Sequence, residues 1–148
     1  MQSQKKHSRT FSFEFFPPKT AEGKEKLRAT WKQLGQLKPK FFSCTFGAGG
    51  STREGTLETV LEIRAAGFEA APHISCVASS RADLKVQLEK YQSHGIRHIV
   101  ALRGDLPSGL AAIGELRYAN ELVTFIRETT GDWFHIEVAC YPEYHPQT

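Results

Sequence analysis

The stretch AAPHISCVASSRADLKVQLEKYQSHGIRHIVALRGD, residues 70–105, decides the fold. It opens on an apolar run of strand length, Ala70 to Cys76, and closes on another, Ile96 to Arg103. Between them Leu84, Leu88 and Tyr91 recur at i, i+4 and i+7, from a start near Ser80 to a stop at Gly95. That is the period of an amphipathic helix with a glycine just past its end. Strand, helix and strand in this span make a βαβ unit, whose two strands run parallel.

Working outward, the same pattern repeats on both sides. Upstream, Phe11 to Phe16 reads as a first strand closed by Pro17 and Pro18. A helix over 21–37 follows Thr20 as N-cap, with Leu27, Trp31 and Leu34 at helical spacing, and Phe41 to Phe46 is a second strand. Ser51 and Glu54 stand at capping-box spacing before a helix carrying Leu57, Val60 and Leu61, which ends at Gly67. Downstream, a loop around Pro107 to Gly114 leads into a helix with Leu116, Ala119, Val123 and Ile126 on its inner side and Gly131 at its end. His135 to Tyr141 is the fifth strand. Strand starts at 11, 41, 70, 96 and 135 carry the spacing of βαβ units in series, which predicts a parallel sheet. Two architectures accept this, an open doubly wound sheet or part of a (β/α)8 barrel. Since such a barrel takes about 250 residues, five strands and four helices are a little over half of one.

The 148 residues are 40% hydrophobic and 24% charged with a formal net charge of +3, figures of one globular domain that needs no disulfide staples. Cys44, Cys76 and Cys140 form no C-x-x-C pair, which argues for a reducing, cytoplasmic setting and against a zinc module, and each reads as a buried small hydrophobe. No apolar stretch reaches the ~18 residues of a membrane span, and the N-terminus lacks a signal-peptide core. Lys5, Lys6 and Arg9 lie in a polar stretch, Met1 to Thr10, that reads as a flexible solvated tail. Nucleic-acid binding is therefore not expected, since it would want a basic stripe with aromatics. Residues 11–148 read as one domain.

In both architectures functional groups gather at the C-terminal ends of the strands. Glu14 lies in the first strand on the face opposite Phe11, Phe13 and Phe15; Thr45 ends the second; His73 lies in the third; Arg103 and Asp105 follow the fourth; Tyr141, Glu143 and His145 end the fifth. A carboxylate set between two phenylalanines in a buried strand is expected to lose solvation, which raises its pKa and suits a general acid; a partnered structural carboxylate is the other reading. His73 reads either as a satisfied core histidine or as a ligand-facing group. Arg103-Gly104-Asp105 puts two charges around a glycine, where backbone can approach a ligand. The run Gly47 to Thr52 follows a strand and opens a helix, yet it lacks the third glycine and the strand-end acid of a dinucleotide fingerprint. Its glycines still suit backbone contact with a phosphorylated or flat ligand. No G-x-x-x-x-G-K-[ST], G-x-S-x-G or H-E-x-x-H is present, and no metal site is expected.

Phe13-Glu14-Phe15-Phe16-Pro17-Pro18, the segment Phe41 to Thr52, Ala70-Ala71-Pro72-His73, His98 to Asp105, and Tyr141-Pro142-Glu143-Tyr144-His145-Pro146 together resemble, in order, methylenetetrahydrofolate reductase of the bacterial type. The resemblance implies a flavin-bearing (β/α)8 (TIM) barrel, a homo-oligomer when full length. It implies reduction of 5,10-methylenetetrahydrofolate to 5-methyltetrahydrofolate for methionine synthesis, with FAD as cofactor and NADH or NADPH as donor. By position Glu14 resembles the family's general acid and Asp105 the aspartate near flavin and pterin, so both also face substrate. Thr45, Phe46, Ala48, His73, Arg103, Gly104, Tyr118, Ala119, Tyr141 and His145 fall where the family lines its FAD or nicotinamide site. Ending after the fifth strand, the chain is expected to be an incomplete barrel with exposed sheet edges, inactive alone. An open-sheet flavin or nicotinamide protein and a truncated binding fragment are the alternatives.

Overall fold

The computed structural model describes residues 6, 8–45, 53–105 and 114–140. Strands and helices alternate: β1 (Ser12–Phe15), α1 (Ala21–Gly35), β2 (Phe41–Cys44), α2 (Arg53–Ala65), β3 (Ala70–Ser75), α3 (Arg81–Ser93), β4 (His98–Leu102), α4 (Ala119–Thr130) and β5 (His135–Val138). The strands form one sheet in the order β1-β2-β3-β4-β5, and every neighbouring pair is parallel. Each crossover therefore steps one strand in the same direction. A doubly wound sheet reverses its order at a switch point, so this wall is wound as part of a (β/α)8 barrel.

Local chemistry sets the helix ends. Thr20 accepts a hydrogen bond from the Gly23 amide at 3.0 Å, and Ser80 with Asp83 forms a reciprocal capping box at α3. Gly67, Gly95 and Gly131 all take positive φ just past α2, α3 and α4. Ser51, expected to open α2, lies outside the described residues. Leu116 is buried as expected but precedes α4: the chain is extended at Tyr118, and Glu121 takes the Arg117 amide at 2.6 Å.

Register shows which side chains share a face. Phe13 and Phe15 pair with Phe42 and Cys44, and Ile99 pairs with Ile136; these point to the helices. There they join Trp31, Leu57, Val60, Ile63, Leu84, Leu88, Tyr91, Leu122 and Ile126 in one apolar cluster. The opposite, inner face carries Glu14, Ser43, Ala71, His73, Val100 and Glu137, which follow one another along the register. A sheet buried against helices on one face and polar on the other fits a barrel wall whose inner face holds a site. Cys44 and Cys76 are buried, and burial pushes the Cys44 thiol up to about 12. Cys140, expected inside, is exposed just beyond β5. Among the described residues, no helix is long and apolar enough to cross a membrane.

Candidate active site

At the C-terminal half of the inner face Glu14 reaches across β2 to His73 on β3. Glu14 Oε2 stands 3.4 Å from His73 Nε2. The reach is open because its register partners on the intervening strand and beyond are small, Ser43 and Ala71. His73 is almost completely buried, and neither of its ring nitrogens has a hydrogen-bond partner. Burial in a low-polarity setting disfavours the imidazolium and lowers its pKa to about 4, so the ring is neutral at physiological pH. On the helix side the Tyr91 hydroxyl donates to the His73 carbonyl at 3.3 Å and accepts from Gln87 Nε2 at 2.6 Å. Helix α3 thus clamps the strand at the residue that carries the imidazole. Tyr91 reads from sequence as a core residue only; its i−4 partner Gln87 on an otherwise apolar stripe is the signal that it does more.

The expectation that Glu14 loses solvation is corrected. Its side chain is 53% exposed, because strand alternation turns Phe13 and Phe15 to the other face and leaves Glu14 with Ser43 and His73. His73 takes the burial that was expected of Glu14.

The loop after β4 supplies the second part of the site. Gly104 has φ +85°, and a Cβ there would stand 2.2 Å from Ser75 Oγ, so only glycine fits between the ends of β3 and β4. Ser75 Oγ and the Val77 amide bond the Arg103 carbonyl at 3.2 and 2.9 Å, tying the two strand ends together. Arg103 is half-buried, with its Nε on the Gly104 carbonyl at 3.1 Å, whereas Asp105 is exposed. Thr45, just past β2, receives the Thr56 hydroxyl on its carbonyl at 2.7 Å and donates its amide to Phe15 at 3.0 Å. Tyr118 is exposed at the N-terminus of α4, and Ala119 is the first residue of that helix. Phe46, Ala48, Tyr141, Glu143 and His145, with the Gly47 to Thr52 run, lie outside the described residues. The structure brings Glu14 and His73 together and places Thr45, Arg103, Gly104 and Asp105 at the same end of the sheet.

A one-directional parallel wall with a helical crossover between each pair of neighbouring strands defines the class, part of a (β/α)8 barrel. The family model for methylenetetrahydrofolate reductase matches residues 1–148, and the chain belongs to that family. It is 45% identical over 137 residues to the 5,10-methylenetetrahydrofolate reductase of Escherichia coli (strain K12), covering 92% of this chain and 45% of that protein. The protein of the same name from Pectobacterium carotovorum subsp. carotovorum is 46% identical over 137 residues, with the same coverage of 92% and 45%. A methylenetetrahydrofolate reductase (NADH) 1 of Arabidopsis thaliana is 41% identical over 141 residues, 92% of this chain and 24% of that protein. The chain thus spans just under half the length of these bacterial relatives.

Proposed function

We propose that this chain forms part of an FAD-bearing active site that reduces 5,10-methylenetetrahydrofolate to 5-methyltetrahydrofolate with NADH or NADPH as donor. The observation that carries this reading is the Glu14–His73 pair: a reachable carboxylate 3.4 Å from a buried neutral imidazole, at the mouth of a wall of this family. The residues fit a flavin on two counts. His73 has two buried nitrogens free of hydrogen bonds, and Gly104 offers backbone where a Cβ has no room. Arg103 would meet phosphate, Thr45, Gly104 and His73 would orient the group, and Asp105 would set the charge beside the ring; Phe46, Ala48, Tyr118, Ala119, Tyr141 and His145 complete the proposed lining.

When bound, FAD supplies the two-electron transfer, which the protein orients and tunes. Proton delivery falls to the chain itself. Glu14 gives its proton to the N10 side of the folate ring as the C–N bond breaks, opening the five-membered ring to an iminium. His73 acts as a positioning residue. Burial keeps its ring neutral, so it sets no positive charge beside the Glu14 carboxyl 3.4 Å away. The half-exposed position of Glu14 lets folate reach it.

Purification of the full-length protein tests the reading. It should be yellow with a flavin spectrum; NADH should bleach that absorbance, and methylenetetrahydrofolate should restore it. A colourless protein that takes up no FAD on reconstitution would contradict the proposal.

A further inference from the structure

At the opposite, N-terminal end of the sheet a second polar cluster stands on the inner face. His98 opens β4, His135 opens β5 as its register partner, and Glu137 follows two residues on, on the same face of β5. Glu137 Oε1 lies 3.4 Å from His98 Nε2 and 3.1 Å from His135 Nε2. The three ligand atoms all fall within 4.8 Å of one another.

His98 Nε2 is the telling atom. The side chain is 7% exposed and its Nε2 points at Glu137, yet that nitrogen makes no hydrogen bond. The ring is held in place by Phe41, whose centroid is 4.3 Å away, and by the edge-to-face ring of His135 at 4.7 Å. A buried nitrogen without a partner carries an uncompensated desolvation cost, so a structure that fixes one beside a carboxylate and a second imidazole calls for a ligand.

We propose that His98, His135 and Glu137 bind a divalent transition-metal ion of the zinc class, which clasps β4 to β5 at the end of the sheet away from the mouth. Two imidazole nitrogens and one carboxylate oxygen suit zinc and its neighbours and disfavour magnesium and calcium, which take oxygen. Zinc bonds of about 2.0–2.2 Å set tetrahedral ligand atoms roughly 3.3 Å apart. The two separations from Glu137, 3.4 and 3.1 Å, already match that spacing. Only the exposed His135 ring has to turn to bring the two imidazoles into range. Three protein ligands leave a fourth position for water. Residues at this end of a barrel serve stability, which is what a cross-strand clasp provides.

The test is zinc titration of the chelator-treated full-length protein by calorimetry, with thermal unfolding alongside and cobalt(II) as a spectroscopic probe. Wild type should take up one zinc ion at this site, melt at higher temperature with it, and give visible cobalt absorption without a thiolate band. His135→Asn and Glu137→Gln alter exposed or half-exposed side chains, so each should keep the fold. Each should weaken zinc by at least about 10-fold, the least that loss of even an outer-shell partner costs. Glu14→Gln and Cys140→Ser should bind zinc as wild type does. Equal zinc affinity in wild type, His135→Asn and Glu137→Gln overturns the site and leaves a hydrogen-bonded His-Glu-His bridge in its place. Loss in Cys140→Ser alone would assign the ion to the thiol and overturn it equally.

Discussion

The two ends of the inner face are built from the same parts and arranged for different work. Each holds a buried histidine 3.4 Å from a glutamate oxygen. Near the mouth the partners sit on β1 and β3, with the small Ser43 on the strand between, and both ring nitrogens of His73 lack hydrogen bonds. At the foot His98 and Glu137 sit on adjacent strands, two residues apart in register, and His135, the direct register partner of His98, closes the group. A pair spread over three strands leaves a gap that a substrate can enter. A triad on neighbouring strands converges on a point, which suits a small ion. Which strands carry the groups therefore separates the two chemistries more than residue type does.

The largest effect that sharpens this contrast is acid destabilisation at His73. Its imidazole is near pKa 4 when folded against 6.5 when unfolded. Between those values the unfolded chain binds a proton that the folded state refuses. Stability is thus full above about pH 6.5, falls as pH drops, and is lower by about 3 kcal/mol once pH passes below 4. Urea unfolding across this range should show a shallower dependence in His73→Gln, by up to one proton. An unchanged slope would mean that His73 is hydrated in solution.

Next in size is Gly104→Ala. It sets a side chain at φ +85° and drives its Cβ into Ser75 Oγ, for a cost of about 1–3 kcal/mol. Flavin affinity should fall with stability while zinc uptake at the foot is retained, since the two ends share no residue. If both fall together, the ends are coupled and the contrast fails. The smallest effect on stability belongs to Asp105→Asn. Its side chain is exposed, so the unfolding midpoint should stay in place while the flavin potential and folate affinity shift. A potential and folate affinity both equal to wild type would remove Asp105 from the site.

The sequence made the architecture legible because buried parallel strands read as continuous apolar runs and their helices keep a 3.6 period. Alternation alone also put Glu14 opposite Phe13 and Phe15. What it could not carry was burial on the inner face, which depends on neighbours brought in by register: Ser43 and Ala71 leave Glu14 open, and the protection falls on His73. The foot cluster was missed for the same reason. Its ligands come from two strands, and only the i, i+2 spacing of His135 and Glu137 on one strand face hinted at it. Tyr91, read as a core residue, also spans from helix to strand to hold the His73 carbonyl.

The central claim, that Glu14 delivers the proton at the mouth, is tested most directly by measuring the two half-reactions of Glu14→Gln separately by rapid mixing. Reduction of the flavin by NADH needs no proton from a side chain, so flavin content and that rate should stay within a small factor of wild type. Reoxidation by methylenetetrahydrofolate should slow by about 10²-fold or more, the usual worth of a positioned general acid. Equal loss in both half-reactions, with flavin or stability lost alongside, would contradict the account and make Glu14 a structural carboxylate.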